Sequence, residues 1–351
     1  KLKIKIELLT GKTDNKKRKK ILENLDSKKI DFLVGTHSLF QKTISFNKLG
    51  LIVIDEQHKF GVQQRIKFAK KGGSNCDVLL MSATPIPRTM MMSIYGDMDT
   101  SRLEEKPVNR QKILTLSKPE KKINEIWPFL EKKINNNEQI FWVCPLIDES
   151  KKLDYSSTTK TFKLVDQKFP KKAGFIHGAL TQAEKETVLK KFLNNEISIL
   201  VSTTVIEVGV DFPNATVIII ENSNKFGLAQ LHQLRGRIGR GDKSGTCILL
   251  FKNQLSKNAK KRIQILKKSD DGFFIAEEDM KLRGYGDLVG FKQSGTKLFK
   301  VADPVQHENL FKLAEENIGK LETNELNDLK YKFLLKLFDK VDLIDEERVS
   351  S

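Results

Sequence analysis

The sequence predicts an α/β protein in which helices cover parallel sheets, laid out as two successive strand series and then a mostly helical C-terminal region. Three observations predict it. Short runs rich in β-branched and aromatic residues recur between stretches of helical periodicity. The runs are apolar almost throughout, as strands buried on both faces require, and helices on either side of a parallel sheet provide that burial. The chain has 351 residues, which at about 100–200 residues per domain gives room for two or three domains and excludes a single small module.

In order, the first series is IKIELL at 4–9, DFLVGT from Asp31, LIVID from Leu51 and DVLLMSA from Asp77. The second is ILTLS from Ile113, QIFWVCPLI from Gln139, AGFIHG from Ala173, SILVST from Ser198, TVIIIEN from Thr216 and TCILLF from Thr246. Thr181 with Glu184 reads as a capping box opening a helix whose apolar face is Val188, Leu189, Phe192 and Leu193. After Pro119, Ile123, Ile126, Trp127, Leu130 and Ile134 have helical spacing, and Pro128 within them is expected to kink or split the helix. The polar stretch LEEKPVNRQK at 103–112 separates the two series, and helical patterning dominates after about residue 255. The expected domains are therefore 1–106, 107–255 and 256–351.

Lys plus Arg number 62 against 45 Asp plus Glu, a formal charge of +17. That excess draws a chain toward polyanions such as nucleic acid, although a Lys-rich genome gives the same arithmetic. The KKRKK cluster at 16–20 reads as a solvated helix face. Three separated cysteines, Cys76, Cys144 and Cys247, offer neither a disulfide framework nor a metal knuckle, so reduced thiols in the cytoplasm are expected. No apolar run reaches the roughly 20 residues that span a bilayer, so no membrane partner is expected. The chain opens at Lys1 without an initiator Met, and an N-terminal truncation is expected.

Gly11, Lys12 and Thr13 spell the end of a phosphate-binding P-loop, but Ile6 stands where the loop needs its first glycine. They are expected to form an ordinary strand-to-helix loop. Asp55 and Glu56 are different. They follow the buried pattern Leu51 to Ile54, which puts two carboxylates at the carboxyl end of a parallel strand, where such sheets bind ligands. Nucleotide hydrolases use such a pair to hold magnesium and to polarise water. Gln57 and His58 extend it to DEQH. Ser82, Ala83 and Thr84 end the next strand, whose hydroxyls can bond to the Asp-Glu strand or simply cap a helix. Thr203, Thr204, Gly209 and Asp211 follow another strand, where hydroxyls and an exposed backbone can meet a nucleic-acid phosphate and Asp211 can link it to the nucleotide. Gln233, Gly236, Arg237, Gly239 and Arg240 form QxxGRxGR. Two guanidiniums three residues apart, on a helix loosened by glycines, can reach a γ-phosphate across an interdomain cleft.

The ordered set DEQH, SATPIPRT, WVCPLI, STTVIEVGVDFPNA and QLRGRIGRG resembles the RecG family of branch-migrating DNA helicases of superfamily 2. The stretches IYGDMDTSRLEEKPVNRQKI and CPLIDESKKLD favour that family over the similar transcription-repair coupling translocase. DGFFIAEEDMKLRGYGDLVGFKQSG, from Asp271 to Gly295, is similar to the translocation motif both families share, a helical hairpin and loop. The resemblance implies RecA-like motor domains, the first one partial, and then a helical translocation region. It further implies ATP and Mg2+ as cofactors, with magnesium on Asp55, Glu56 as general base and Arg237 and Arg240 on the γ-phosphate. His58 and Gln233 complete the catalytic motifs, while Gly209 and Asp211 join the nucleotide site. Ser82, Thr84, Thr203 and Thr204 couple the nucleotide to DNA, as do Arg262 on the hairpin and Arg283 and Gln293 on the loop. Residues 251–300 hold 12 Lys plus Arg against 6 Asp plus Glu, which suits a phosphate-facing segment. In the translocation motif, Tyr285 and Asp287 replace the family's usual Pro and Glu.

A monomeric motor that remodels forks and Holliday-type junctions is the expected parent protein. The family's wedge domain and P-loop find no counterpart here, so the fragment alone is expected to be inactive. The remaining alternatives are the coupling translocase and a non-catalytic basic module that binds DNA through its phosphates.

Overall fold

The computed structural model describes residues 3–41, 43–56, 76–82, 99, 101–103, 105, 111–145, 151–203, 212–252, 254–283 and 307–318. The chain divides into two compact units, Lys1–Pro85 and Ile86–Ser351. This division falls ahead of the polar stretch at 103–112.

In the first unit, β1 (Ile6–Leu9) pairs in parallel with β2 (Phe32–Gly35), and β3 (Leu51–Ile54) pairs in parallel with β4 (Asp77–Leu80). Helix α1 (Asn15–Asp26) follows β1, and Asp14 caps it by accepting the Lys16 N–H at 3.0 Å. Ile21 and Leu25, four residues apart, bury its inner face, and most of the basic cluster is exposed as expected. Leu9, Ile21, Leu25 and Ile44 form one apolar cluster, Ile52 and Ile54 another, and Leu39 and Phe46 pack against both. The strands are not buried on both faces. Each exposes alternate residues, as β3 does with Leu51 and Val53 outside and Ile52 and Ile54 buried, whereas in β2 and β4 the residues between are only half-buried. The expectation of fully buried strands is thus corrected for this unit.

The second unit carries a six-stranded, all-parallel sheet of β5 (Leu114–Pro119), β6 (Gln139–Cys144), β7 (Ala173–Ile176), β8 (Ile199–Thr203), β9 (Ala215–Ile220) and β10 (Thr246–Phe251). The spatial order is β5-β10-β9-β6-β8-β7. From β6 the chain passes to the edge strand β7, comes back to insert β8 between β7 and β6, then crosses β6 to lay down β9 and β10, so strands are added on both sides of β6. Open α/β sheets take their ligands at the carboxyl ends near such a switch point.

Here both faces are covered. Ile140, Trp142, Ile199, Val201, Val217 and Ile219 face α2 (Trp127–Asn135) and α3 (Lys151–Lys168). Phe141, Val143, Leu200, Ile218 and Leu249 face α4 (Gln182–Leu193), α5 (Leu228–Arg235), α6 (Lys257–Lys268) and α7 (Gly272–Arg283). Successive strand residues alternate between the two cores, as the two-residue period of a strand requires.

The stretch after Pro119 splits as expected. Glu120–Glu125 is a 3₁₀ turn, and Pro128 sits in the first turn of α2, where its missing N–H costs no helical bond. The capping box at α4 is present, with Thr181 N–H on Glu184 Oε2 at 2.8 Å and the return bond at 3.3 Å. Leu193, expected on the buried face, is 42% exposed, whereas Leu189 and Phe192 are buried. Helices α6, α7 and α8 (Glu308–Ile318) make up the described part of the C-terminal region. Ile263, Leu266 and Ile275 of the α6–α7 hairpin join the second unit's core. No described helix is long and apolar enough to cross a membrane.

All three cysteines are free, Cys144 and Cys247 buried and Cys76 half-buried. Burial pushes the Cys247 thiol up to about 12 against the pull of Arg235, and Cys144 is also raised well above its ordinary value by burial. Burial and Asp77 raise the Cys76 thiol as well, but it alone is not fully buried, so a chromogenic disulfide reagent at pH 8 is expected to label Cys76 alone in the folded protein. All three should react in denaturant.

Candidate active site

The first unit carries candidate carboxylates. Asp55 directly follows β3 and is exposed. Glu56 adopts a left-handed backbone conformation, φ 49°, and its N–H donates to Asp55 Oδ1 at 2.8 Å. A non-glycine residue there costs about 1–2 kcal/mol, so the strand ends in a sharp turn that fixes the Asp55 carboxylate and turns Glu56 away from the strand direction. Ser82 lies at the same edge. Met81 N–H donates to Ile54 O at 2.8 Å, which continues the β3–β4 pairing and brings Ser82 level with the Asp55–Glu56 turn. That adjacency is the one the spacing predicts. The Gly11–Thr13 loop bonds within itself, with Thr10 N–H on Thr13 Oγ1 at 2.9 Å, and serves as the turn into α1. His58 and Thr84 lie outside the described residues.

The second unit, taken by itself, carries candidate guanidiniums. Helix α5 packs Leu228, Leu231 and Leu234 into the core and closes at Gly236. Gln233 is half-buried on it. Arg237 and Arg240 come after the helix end, in a turn, rather than on a helix as expected. Ile238 is fully buried, which anchors the turn and leaves Arg237 half-buried and Arg240 exposed. Gly239 makes the reversal possible with φ 67°, and a side chain at Gly241 would press against the backbone of Pro213 at 2.9 Å. The glycines of the motif thus serve a tight turn that holds two cations on its outer side.

Arg235, which sequence reasoning passed over, is 2% exposed. Its Nη1 donates to Thr115 Oγ1 (3.3 Å), Leu266 O (2.6 Å) and Ser269 O (3.0 Å), and its Nη2 donates to His232 Nδ1 (3.0 Å). One guanidinium thereby joins the arginine turn to β5 and to the end of α6. Its position continues the buried stripe of Leu228, Leu231 and Leu234, and that was the available signal.

Thr203 closes β8 with its side chain 4% exposed. It stands in the core between β6 and β7, not on a phosphate-facing surface. Arg262 is half-buried and donates to Phe226 O and, at 3.3 Å, to Asn224 O, so in this structure its guanidinium ties α6 to the turn after β9. Arg283 ends α7, but its side chain is not among those described. Thr204, Gly209, Asp211 and Gln293 lie outside the described residues.

A second missed group is Glu221, 6% exposed at the carboxyl end of β9. It accepts from Trp142 Nε1 (2.9 Å), from the Thr161 hydroxyl on both oxygens (3.1 and 3.2 Å) and from Cys144 Sγ (3.6 Å). Burial pushes its pKa above the ordinary 4.5, outweighing the donors that pull it down. The protonated form is therefore favoured by folding, so this contribution is full below the unfolded value and lost as pH rises through the folded value. Glu221→Gln should gain stability relative to the parent as pH rises from the ordinary carboxyl value through the raised folded one. Paired melting curves across that range check this, with Trp142 fluorescence as the local reporter.

Comparison with known proteins gives the lineage of this arrangement. The DEAD/DEAH box helicase family matches residues 1–93 and the helicase conserved C-terminal domain matches 121–242. ATP-dependent DNA helicase RecG, domain 3, C-terminal, matches 269–335. The ATP-dependent DNA helicase RecG of Synechocystis is 44% identical over 343 residues, which is 96% of this chain and 41% of that protein. The chain belongs to the RecG family. RecG of Bacillus subtilis is 41% identical over 351 residues, 99% of this chain and 51% of that protein. The chain thus spans about half or less of the RecG proteins it matches. A solved structure of RecG bound to a three-way DNA junction superposes with a TM-score of 0.66 at 40% identity, over 89% of this chain and 40% of that one. Lhr helicase of Mycobacterium smegmatis, at 18% identity and a TM-score of 0.52, shares the fold alone. The RecG fold seen here is of the RecA-like, parallel-sheet α/β kind.

Proposed function

We propose that this chain is the motor portion of an ATP-dependent DNA translocase of the RecG type, which remodels forks and Holliday-type junctions as a cytoplasmic monomer. The observation that carries the proposal is the pairing of motifs with geometry. One unit ends a strand in Asp55 and Glu56, and the other holds Arg237 and Arg240 on the outside of a glycine turn. The match at 269–335 supports RecG over the coupling translocase. In this reading residues 1–106 are the back of the first motor domain, 107–255 the second, and 256–351 the translocation region.

The reaction is hydrolysis of ATP by water to ADP and phosphate. Asp55 fits a magnesium ion, because an exposed carboxylate at a strand end supplies the hard oxygen ligand this ion takes while keeping several waters. Held there, magnesium would supply positive charge against the phosphate oxygens. Glu56 accepts the proton of the attacking water, and Ser82 with Thr84 holds the Asp-Glu turn in place. Arg240, exposed, and Arg237 beside it stabilise the charge that spreads over the transferred phosphoryl group. Gly209 and Asp211 complete the nucleotide contacts, Arg262 secures the hairpin, and Arg283, which closes α7 rather than lying on the loop expected for it, meets duplex DNA together with Gln293.

The described residues provide no glycine-rich cradle for the β- and γ-phosphates. The chain by itself is therefore expected to show no DNA-stimulated ATP turnover, whereas a protein extended to the length of its relatives should. A phosphate-release assay on both decides it. Turnover by the short chain that Glu56→Gln abolishes would contradict the proposal.

A further inference from the structure

At the amino end of the second unit's sheet lies a buried charge that the chemistry above does not use. Glu138, 5% exposed, directly precedes β6 and accepts from Lys133 Nζ at 2.8 Å and from the Thr216 hydroxyl. Burial pushes its carboxyl up, but the bonds from Lys133 and Thr216 and the charges of Lys133 and Lys243 outweigh that and hold it below its ordinary value. The group is therefore ionised at neutral pH. A neutral side chain accepting from Thr216 would escape the cost of taking a charge out of water, so the carboxylate calls for a reason beyond packing.

Its surroundings supply one, because the arginine turn rests on the residues that Glu138 braces. Gly239 N–H donates to Ala215 O at 3.3 Å, and Gly241 lies so close to Pro213 that an added side chain would meet its carbonyl oxygen at 2.9 Å. In turn, Gln139 N–H donates to Asn214 O at 2.8 Å, and Thr216 gives its hydroxyl to Glu138. Residues 213–216 are thus tied both to the arginine turn and to the start of β6. The far flank of the turn runs to the same place. Lys243 donates to Asn136 O at 3.4 Å, at the end of α2 where the helix dipole favours a cation, and its charge acts on Glu138.

We propose that Glu138 is a positioning residue for ATP hydrolysis, fixing the arginine turn through Thr216 on one flank and Lys243 on the other so that Arg240 meets the phosphoryl group at the right distance. The proposal rests on the nucleotide reading of Arg240 given above. Misplacing such a group by about 1 Å costs up to about 10²-fold in rate, which sets the size of the effect.

The test uses the protein extended to the length of its relatives. Glu138→Gln keeps the shape and an acceptor for Thr216 but removes the charge. It should lower DNA-stimulated turnover at saturating ATP about 10-fold or more, with KM for ATP and duplex affinity unchanged. Binding of ADP with aluminium fluoride, a mimic of the phosphoryl group in flight, should weaken by the same factor while ADP alone binds as before, because only the mimic needs Arg240 in place. In an Arg240→Ala background the same substitution should cost less than about 2-fold further. Lys243→Met, at an exposed position, should repeat the pattern at about 3-fold, and it carries the test if Glu138→Gln folds poorly. Turnover untouched by both substitutions would overturn the proposal. So would equal weakening of ADP and of the mimic, or a loss undiminished by Arg240→Ala, since either makes Glu138 a merely structural group. If Arg240→Ala leaves turnover intact, the ATPase reading fails and takes this proposal with it, whereas a damaging Arg240→Ala beside silent Glu138→Gln and Lys243→Met sinks this proposal alone.

Discussion

Arg240→Ala, in a protein carrying the complete motor, is expected to lower DNA-stimulated ATP hydrolysis about 10³-fold or more, as removal of an arginine finger does elsewhere. The reason is where the glycine turn puts this side chain. Ile238 is driven into the core, Gly239 reverses the backbone, and Arg240 emerges exposed with its Nε only 3.4 Å from Gly236 O. It is therefore presented outward from the turn. Glu56→Gln should lose about 10²–10⁴-fold through absence of the general base, and both variants should still bind duplex DNA. Measured turnover and DNA affinity separate this account from that of a basic module binding through phosphates alone. In the latter case DNA binding would be salt-sensitive, blind to nucleotide and unchanged by Arg240→Ala, with no turnover to lose.

Arg235→Ala has the largest expected effect on stability. Removing a guanidinium that is 2% exposed strands Leu266 O, Ser269 O and the Thr115 hydroxyl and opens a cavity, at a cost of about 3 kcal/mol. At about 2–4 °C per kcal/mol for a domain of this size, the melting temperature should fall by about 6–12 °C. Arg235→Lys should recover little, because an ammonium cannot reproduce the fork that reaches β5 and the end of α6 together. Calorimetry checks both, and a loss under about 2 °C would show that neighbouring groups or water satisfy the freed acceptors.

The strands were legible because burial writes itself into sequence as runs of Ile, Val, Leu and Phe. All ten expected runs are strands in the structure. Thr181 with Glu184 was legible because a capping box is a local device. What sequence could not show was which faces find a cover. Leu51 and Val53 read as core positions and are exposed, since covering is a property of the rest of the protein and not of β3. Arg237 and Arg240 were found by spacing, but the spacing of QxxGRxGR fits a helix and a tight turn equally well. The choice is made at Gly239, whose φ of 67° suits glycine and where an added side chain would meet Ile113 at 3.3 Å, a long-range constraint. Arg235 and Glu221 were missed for a common reason. Charged residues are read as exposed by default, and only the three-dimensional partners, carbonyls for one and Trp142 with Thr161 for the other, show that they are buried and satisfied.

The central proposal is that Asp55 and Arg240 both act in ATP hydrolysis by the RecG motor. Its most direct test is a structure of the extended protein with magnesium and a γ-phosphate mimic bound. The account predicts the ion on Asp55 and the Arg240 guanidinium within hydrogen-bond distance, about 3 Å, of the mimic's oxygens. An Arg240 directed at DNA or solvent, with Asp55 alone on the nucleotide, would contradict it.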